Sequence, residues 1–294
     1  MANTILSRFY SLILRNSAQE ENEYLAKKFI LATKKVAAFF TLWRSALDNA
    51  GLDEIYRKLL REKMSWEKGD CQLDIEELGT YFKEVLKEKD IGTKNEWKSI
   101  AYQYLRYYKV KIVCKFVLLV TSNDTIPVPA QLGLMKIAKP NTSLSYLEPD
   151  KWNSEDLKSI EHIAPRKPDL ESDANWDKAL YENYDYDQIG NLTLLPTPIN
   201  SSAGNKNWLE KWIYYKHLAE KDSSELAHLQ QEAQDNGASL SKDTIILLHH
   251  ASYQDLIQPI VLLGIDGQWN KSFVEMRTER ICDILWERMY DWLS

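Results

Sequence analysis

The segment Ser159-Ile160-Glu161-His162-Ile163-Ala164-Pro165, answered by Ile189-Gly190-Asn191-Leu192-Thr193-Leu194-Leu195-Pro196, decides how this chain is read. Each piece is a short apolar run that stops at a proline, and proline cannot donate to a continuing strand ladder. Residues 159–163 and 191–195 therefore predict two short strands, the second entered through a Gly-Asn turn. A long excursion separates them, in which residues 176–186 predict a short helix. Beyond them, residues 208–219 follow helical spacing. The order is strand, excursion, strand, helix.

Toward the N-terminus the texture is different. Ser17-Ala18-Gln19-Glu20 has the pattern of a capping box opening a long amphipathic helix to about Asn49, with Leu25, Phe29, Val36, Phe39 and Trp43 at helical spacing. Residues 52–63, 73–89 and 96–121 predict three more helices. Residues 124–149 hold Pro127, Pro129, Pro140 and Pro149 and read as a boundary, with a short helix expected over 130–137. Toward the C-terminus, helices resume at Ser241 and a strong one spans 271–293. The expected architecture is mainly α: a helical domain over 1–145, then a small ββα core with flanking helices over 146–294.

Composition narrows the classes. The net charge of −6 argues against a surface devoted wholly to nucleic acid, which would need clustered Lys and Arg, though it leaves room for a local basic patch. The three cysteines, Cys71, Cys114 and Cys282, are odd in number and far apart, which removes a disulfide framework and a Cys-rich zinc site and suits a reducing cytoplasm. The most apolar run, 112–120, contains Lys115 and is too short to span a bilayer, so no membrane role is expected.

The chemistry concentrates in the quoted stretch. Metal-assisted phosphodiester hydrolysis needs a base to deprotonate water and a cation to neutralise the scissile phosphate. A neutral histidine is the natural base near pH 7, and hard oxygen ligands suit Mg²⁺ or Mn²⁺. Glu161 and His162 close the first strand. Neighbours on a strand point to opposite faces, so the two converge only if the strand ends or bends, and Pro165 supplies the expected break. Asn200, Asn205, Lys206 and Lys211 follow around the next helix start, where a phosphate is favoured.

Taken together, Glu161-His162-Ile163-x-Pro165, the run from Ile189 to Leu195, Asn200, Asn205-Lys206, Trp208 and Lys211 resemble the HNH-type nuclease domain of GmrSD-like modification-dependent restriction enzymes, the DUF1524 family. The resemblance runs from about 159 to 216. Phe39-x-x-Leu42-Trp43-Arg44, Leu52-Asp53-x-x-Tyr56-Arg57 and a last helix with Arg277, Arg280 and Trp286 extend it more weakly.

The resemblance implies a metal-dependent endonuclease acting on double-stranded DNA in prokaryotic defence. It makes His162 the general base, Asn191 the residue that orients the histidine loop, and Glu161, Asn200 and Asn205 the metal ligands. Lys206, Lys211 and Arg166 would meet phosphates. A nucleotide-binding DUF262 domain or subunit is the implied partner. Its Asp-Gly-Gln-Gln-Arg-like motif is absent, as are any Walker-type loop and the zinc-binding cysteine pairs of some HNH domains. The chain is therefore expected to be a C-terminal half, whether a fragment or a separate subunit. A non-catalytic DNA-binding module on the same scaffold, or an RNase, stays open.

Plainer roles compete for several of these residues. Glu161 fits a supporting or surface carboxylate as well as a ligand. Asn200 fits a helix N-cap, and Lys206 and Lys211 fit a solvated helix face. Adjacent His249 and His250 diverge on a helix and read as structural, and His217 and His228 read as surface residues. The run Tyr102, Tyr104, Arg106, Tyr107, Tyr108, Lys109, Lys111 suits core aromatics with snorkelling lysines better than base stacking. The acidic stretch 169–187 reads as a solvated excursion.

Overall fold

Hydrophobic periodicity makes most of this chain helical, and two antiparallel strand pairs interrupt it. A computed structural model describes residues 1–15, 19–65, 73–138, 145–168, 176–220, 222–238, 240–249 and 255–294. Expectations that rest on Ser17-Ala18, Cys71, Asn141 to Ser143, residues 169–175 and His250 lie outside the described residues.

The described residues form fourteen helices and two two-stranded sheets, a mainly α fold. The helices are α1 Ala2–Arg15, α2 Gln19–Ala46, α3 Leu52–Lys63, α4 Ile75–Glu88, α5 Lys94–Tyr104, α6 Tyr107–Asp124, α7 Pro149–Asn153, α8 Ala179–Glu182, α9 Thr197–Ala203, α10 Trp208–Ala219, α11 Ser223–Asp235, α12 Lys242–His249, α13 Gln258–Val261 and α14 Lys271–Leu293. The strands are β1 Thr125–Pro127, β2 Met135–Ile137, β3 Ser159–His162 and β4 Leu192–Leu195. No described helix is long and apolar enough to cross a membrane.

The chain divides into two compact units, Met1–Leu105 with Leu285–Ser294, and Arg106–Ile284. This differs from the expected boundary at 145. Within the proline-rich stretch, residues 125–137 form the β1–β2 hairpin of the second unit, and a strand pair replaces the short helix expected over 130–137. The helix expected over 96–121 also breaks: Leu105 and Arg106 separate α5 from α6. Arg106 is extended there, bridges Gln188 through its backbone and ties its guanidinium to Asp185. That long-range anchor outweighs local helical propensity.

The first unit is aromatic. Phe39 stacks on Phe82 with ring centroids 4.3 Å apart, and Tyr56 meets both edge-on. Trp97 is fully buried, and its indole donates to the Leu42 carbonyl at 2.8 Å.

The second unit is built on the antiparallel pair β3–β4, with Glu161 opposite Thr193 and His162 opposite Leu192. Gly190 leads into β4 where α14 passes so closely that a Cβ would lie 2.1 Å from the Val274 carbonyl oxygen. Only glycine fits that approach. One turn further along α14, Arg277 donates to the carbonyls of Gly190 (2.6 Å) and Leu192 (2.9 Å). Burial pushes its guanidinium down to about 10. After β4, α9 packs against β3, and α10 carries Lys211 and Tyr215 to Glu161. Two strands followed by helices make the ββα order.

Candidate active site

Asn191 sits at the entry to β4 and is fully buried. Its Oδ1 accepts from the Ala164 backbone (2.9 Å) and the Trp269 indole (2.7 Å). Its Nδ2 donates to the carbonyls of Ala164 (2.8 Å) and Tyr186 (2.7 Å). All four hydrogen-bonding positions of the amide are used. The effect is to pin the backbone two residues past His162 to the turn before β4.

His162 ends β3. Its Nε2–H donates to Asp187 Oδ1 at 2.9 Å, and the edge of Tyr107 meets the ring at 4.7 Å between centroids. A carboxylate can only accept, so the neutral ring carries its proton on Nε2 and leaves Nδ1 as the acceptor. Nδ1 takes no hydrogen bond from the described residues, and the side chain keeps 11% of its surface exposed. Asp187 is buried and also faces Arg166, whose Nε lies 3.4 Å away. Next to it, buried Asp185 accepts from Arg106 (3.0 Å) and pairs with Lys271 (2.9 Å).

Sequence reasoning missed Asp187. The excursion was expected to be solvated, but its end folds inward and delivers both carboxylates to the interior. The available signal was position: Asp185-x-Asp187 directly precedes the Gln188-Ile189-Gly190-Asn191 turn.

Glu161 points the other way. Lys211 Nζ donates to its Oε1 at 2.6 Å and to the His162 carbonyl at 2.7 Å, and the Tyr215 hydroxyl donates to Oε1 at 3.3 Å. Burial pushes the Glu161 carboxyl up against the pull of Lys211, and pushes the Lys211 ammonium down against the pull of Glu161. Removal from water is the larger effect on both partners. Lys211 is 0% exposed. As placed it does not meet a phosphate; instead it fixes the strand backbone beneath His162.

Asn200 lies inside α9, not at its N-cap. Its Nδ2 donates to Ser159 Oγ (2.9 Å) and the Ile160 carbonyl (3.1 Å), which fastens the helix to the start of β3. Asn205 is exposed in the turn before α10, and its side chain makes no hydrogen bond with the described residues. Lys206 reaches Glu210 at 3.5 Å and lies 6.0 Å from the centre of the Tyr214 ring. Arg166, with 49% of its side chain exposed, stays at the His162 face.

The expected ligands Glu161, Asn200 and Asn205 therefore do not form a metal site as arranged. Glu161 is engaged by Lys211 and Tyr215, and among the described residues no three His, Cys, Asp or Glu side chains are grouped to hold a cation. Mg²⁺ and Mn²⁺ need several oxygens turned to one point, and this donor set does not fit them.

His217, expected on the surface, is buried, and neither ring nitrogen has a hydrogen-bond partner among the described residues. Burial, with His249 and Lys216 adding to it, pushes the ring down to about 4. Cys114 and Cys282 are buried.

Against known families, the model of the GmrSD restriction endonuclease C-terminal domain matches residues 134–284. That stretch includes His162, Asp187, Asn191 and Lys211. No curated protein matches the chain.

Proposed function

The chain belongs to the family of GmrSD restriction endonuclease C-terminal domains, and from that premise we propose that it is an HNH-type endonuclease whose base is His162, cutting double-stranded DNA in the cytoplasm of a prokaryotic cell. The observation that carries this is the side-chain pair His162–Asp187 inside the matched stretch, with Nδ1 taking no hydrogen bond from the described residues and the side chain 11% exposed. A nucleotide-binding domain or subunit that controls cleavage belongs to the same proposal.

In this scheme a water held at His162 Nδ1 gives up a proton as its oxygen attacks the scissile phosphorus. A P–O bond forms to that oxygen, and the P–O bond to the leaving sugar oxygen breaks. The leaving oxygen takes a proton from solvent. Asp187 keeps Nε2 protonated, aims the ring and stabilises the imidazolium that forms. Arg166, beside Asp187 and exposed, balances the phosphate charge. Asn191 holds the loop in register. No step is assigned to a divalent cation, because Glu161 is held by Lys211 and Tyr215 and the expected donors are not turned to one point.

The test is conversion of supercoiled plasmid to nicked and linear forms, with Mg²⁺, with Mn²⁺ and with a chelator. His162→Gln should lose on the order of 10²-fold or more of the rate, and Asp187→Asn should fall in the same direction. Full activity in His162→Gln sinks the assignment. One finding favours a second reading, a DNA-binding module without cleavage: no metal cluster is formed among the described residues. Gel-shift binding with no cleavage under any metal would establish it. Competing RNA of the same sequence separates a DNase from an RNase.

A further inference from the structure

The lysines expected to meet phosphate on α10 are turned inward or paired, yet the ground beside His162 is cationic. α6 carries Lys109, Lys111 and Lys115 and no acidic residue between Tyr107 and Asn123. Val110 departs from helical geometry (φ −141°, ψ 49°) and sets the first turn of α6 apart from the rest. That first turn supplies Tyr107, whose edge lies against the His162 ring. Two cations flank the same tyrosine: Lys111 Nζ 5.4 Å and the Arg166 guanidinium 5.8 Å from the ring centre. Exposed Lys167 follows Arg166. Neither Lys111 nor Lys167 forms an ion pair among the described residues.

Charge is sorted by depth here. The carboxylates, Asp185 and Asp187, are buried and bound to Arg106, Lys271, His162 and Arg166. The cations lie outside. Two uncharged side chains of α6 are exposed beside them, Tyr108 at 57%, with Lys109 Nζ 5.9 Å from its ring centre, and Ile112 at 71%. Cations alternating with exposed uncharged side chains complement the phosphates and sugars along a strand of duplex DNA.

We infer that the face formed by Tyr108, Lys111 and Ile112 of α6 together with Arg166 and Lys167 binds the backbone of a DNA strand and lays it across His162. This rests on the nuclease reading and adds the surface that delivers the substrate. Most of that face lies before residue 134, outside the stretch matched by the family model. Lys111 and Arg166 would hold the phosphate next to His162, Lys167 a neighbouring one, and Tyr108 would pack on a sugar.

Strand binding is measured by fluorescence anisotropy with a labelled oligonucleotide and the full chain, in chelator, across a salt series. Because no cleavage is needed, loss of binding and loss of catalysis are read separately. Wild type should bind with a log K that falls linearly with log salt, by about 0.7–0.9 for each phosphate contacted. Lys111→Glu and Lys167→Glu should each reduce affinity by roughly 10-fold and flatten the slope by about 1, and the double variant should do more. All these residues are exposed, so unchanged thermal unfolding is expected and confirms folding. Lys242→Glu, a charge-matched change at an exposed lysine on α12, should bind as wild type does. Unchanged affinity and slope in the double variant overturn the proposal. So does equal competition by a polyglutamate peptide, which would mark the face as a site for acidic protein.

Discussion

Glu161 and His162 are neighbours in the chain, and β3 turns them into opposite environments. On one side, Glu161 is closed in with Lys211 and Tyr215, and every charge has a partner. On the other, His162 has one nitrogen fixed by Asp187 and the other free, with Tyr107 and the exposed Arg166 around it. Strand alternation alone produces the split. The sealed side has no group left to give a substrate, and so acts as scaffold. The other side leaves His162 Nδ1 without a hydrogen bond from the described residues, and in the proposed function it is the proton acceptor. Two residues that look like one motif thus do two jobs, joined by Lys211 Nζ, which binds both Glu161 and the His162 carbonyl.

The comparison breaks most sharply at Lys211. Lys211→Met leaves the Glu161 carboxylate buried without its cation and should cost about 3–5 kcal/mol. Adding Glu161→Gln should recover most of the loss, since a neutral pair of similar volume does not need the ion pair. Urea unfolding of the single and double variants reads both numbers. A single variant as stable as wild type would mean the sealed side is not a scaffold.

A second contrast, between two histidines, predicts a smaller effect. His162 has a carboxylate for one nitrogen, whereas His217 is buried with none. Its ring in the fold sits near 4, below the ordinary 6.5, so on acidification the unfolded chain takes up the proton first. The stability contributed is complete above about pH 6.5 and is lost progressively as pH falls toward about 4. His217→Phe should flatten melting temperature against pH across that window. An identical slope in the variant would remove His217 from the explanation.

The smallest effect expected is none. If Glu161 is engaged by Lys211 in the free protein, millimolar Mg²⁺ or Mn²⁺ without nucleic acid should leave the melting temperature where it is. A ligand at a hundred times its dissociation constant would add about 2.7 kcal/mol, and a rise of several degrees would show that a metal site exists.

The parts of this arrangement that were legible in the sequence are the local ones. Two proline-ended apolar runs predict β3 and β4 within a residue of their observed ends, and α3 and α10 follow from helical spacing alone. The orienting part of Asn191 was implied by the family resemblance; the residues themselves show only a turn after Gly190. What was illegible depends on distant partners. Lys211 reads as a solvated lysine until Glu161, fifty residues earlier in the chain, is placed beside it. Asp187 reads as one more acid in an acidic stretch until the chain folds back on His162. The break at Arg106 appears only once Asp185 and Gln188 supply its partners. The β1–β2 hairpin was hidden by prolines that read as a linker.

The central claim is that cleavage chemistry belongs to the His162 side and structure to the Glu161 side. The most direct measurement is the single-turnover rate of strand cleavage for His162→Gln beside that for Glu161→Gln with Lys211→Met, both shown to be folded. The account predicts a fall on the order of 10²-fold or more for His162→Gln, with the double variant much closer to wild type. A double variant as inactive as His162→Gln, while folded, would contradict it and place Glu161 among the reacting groups.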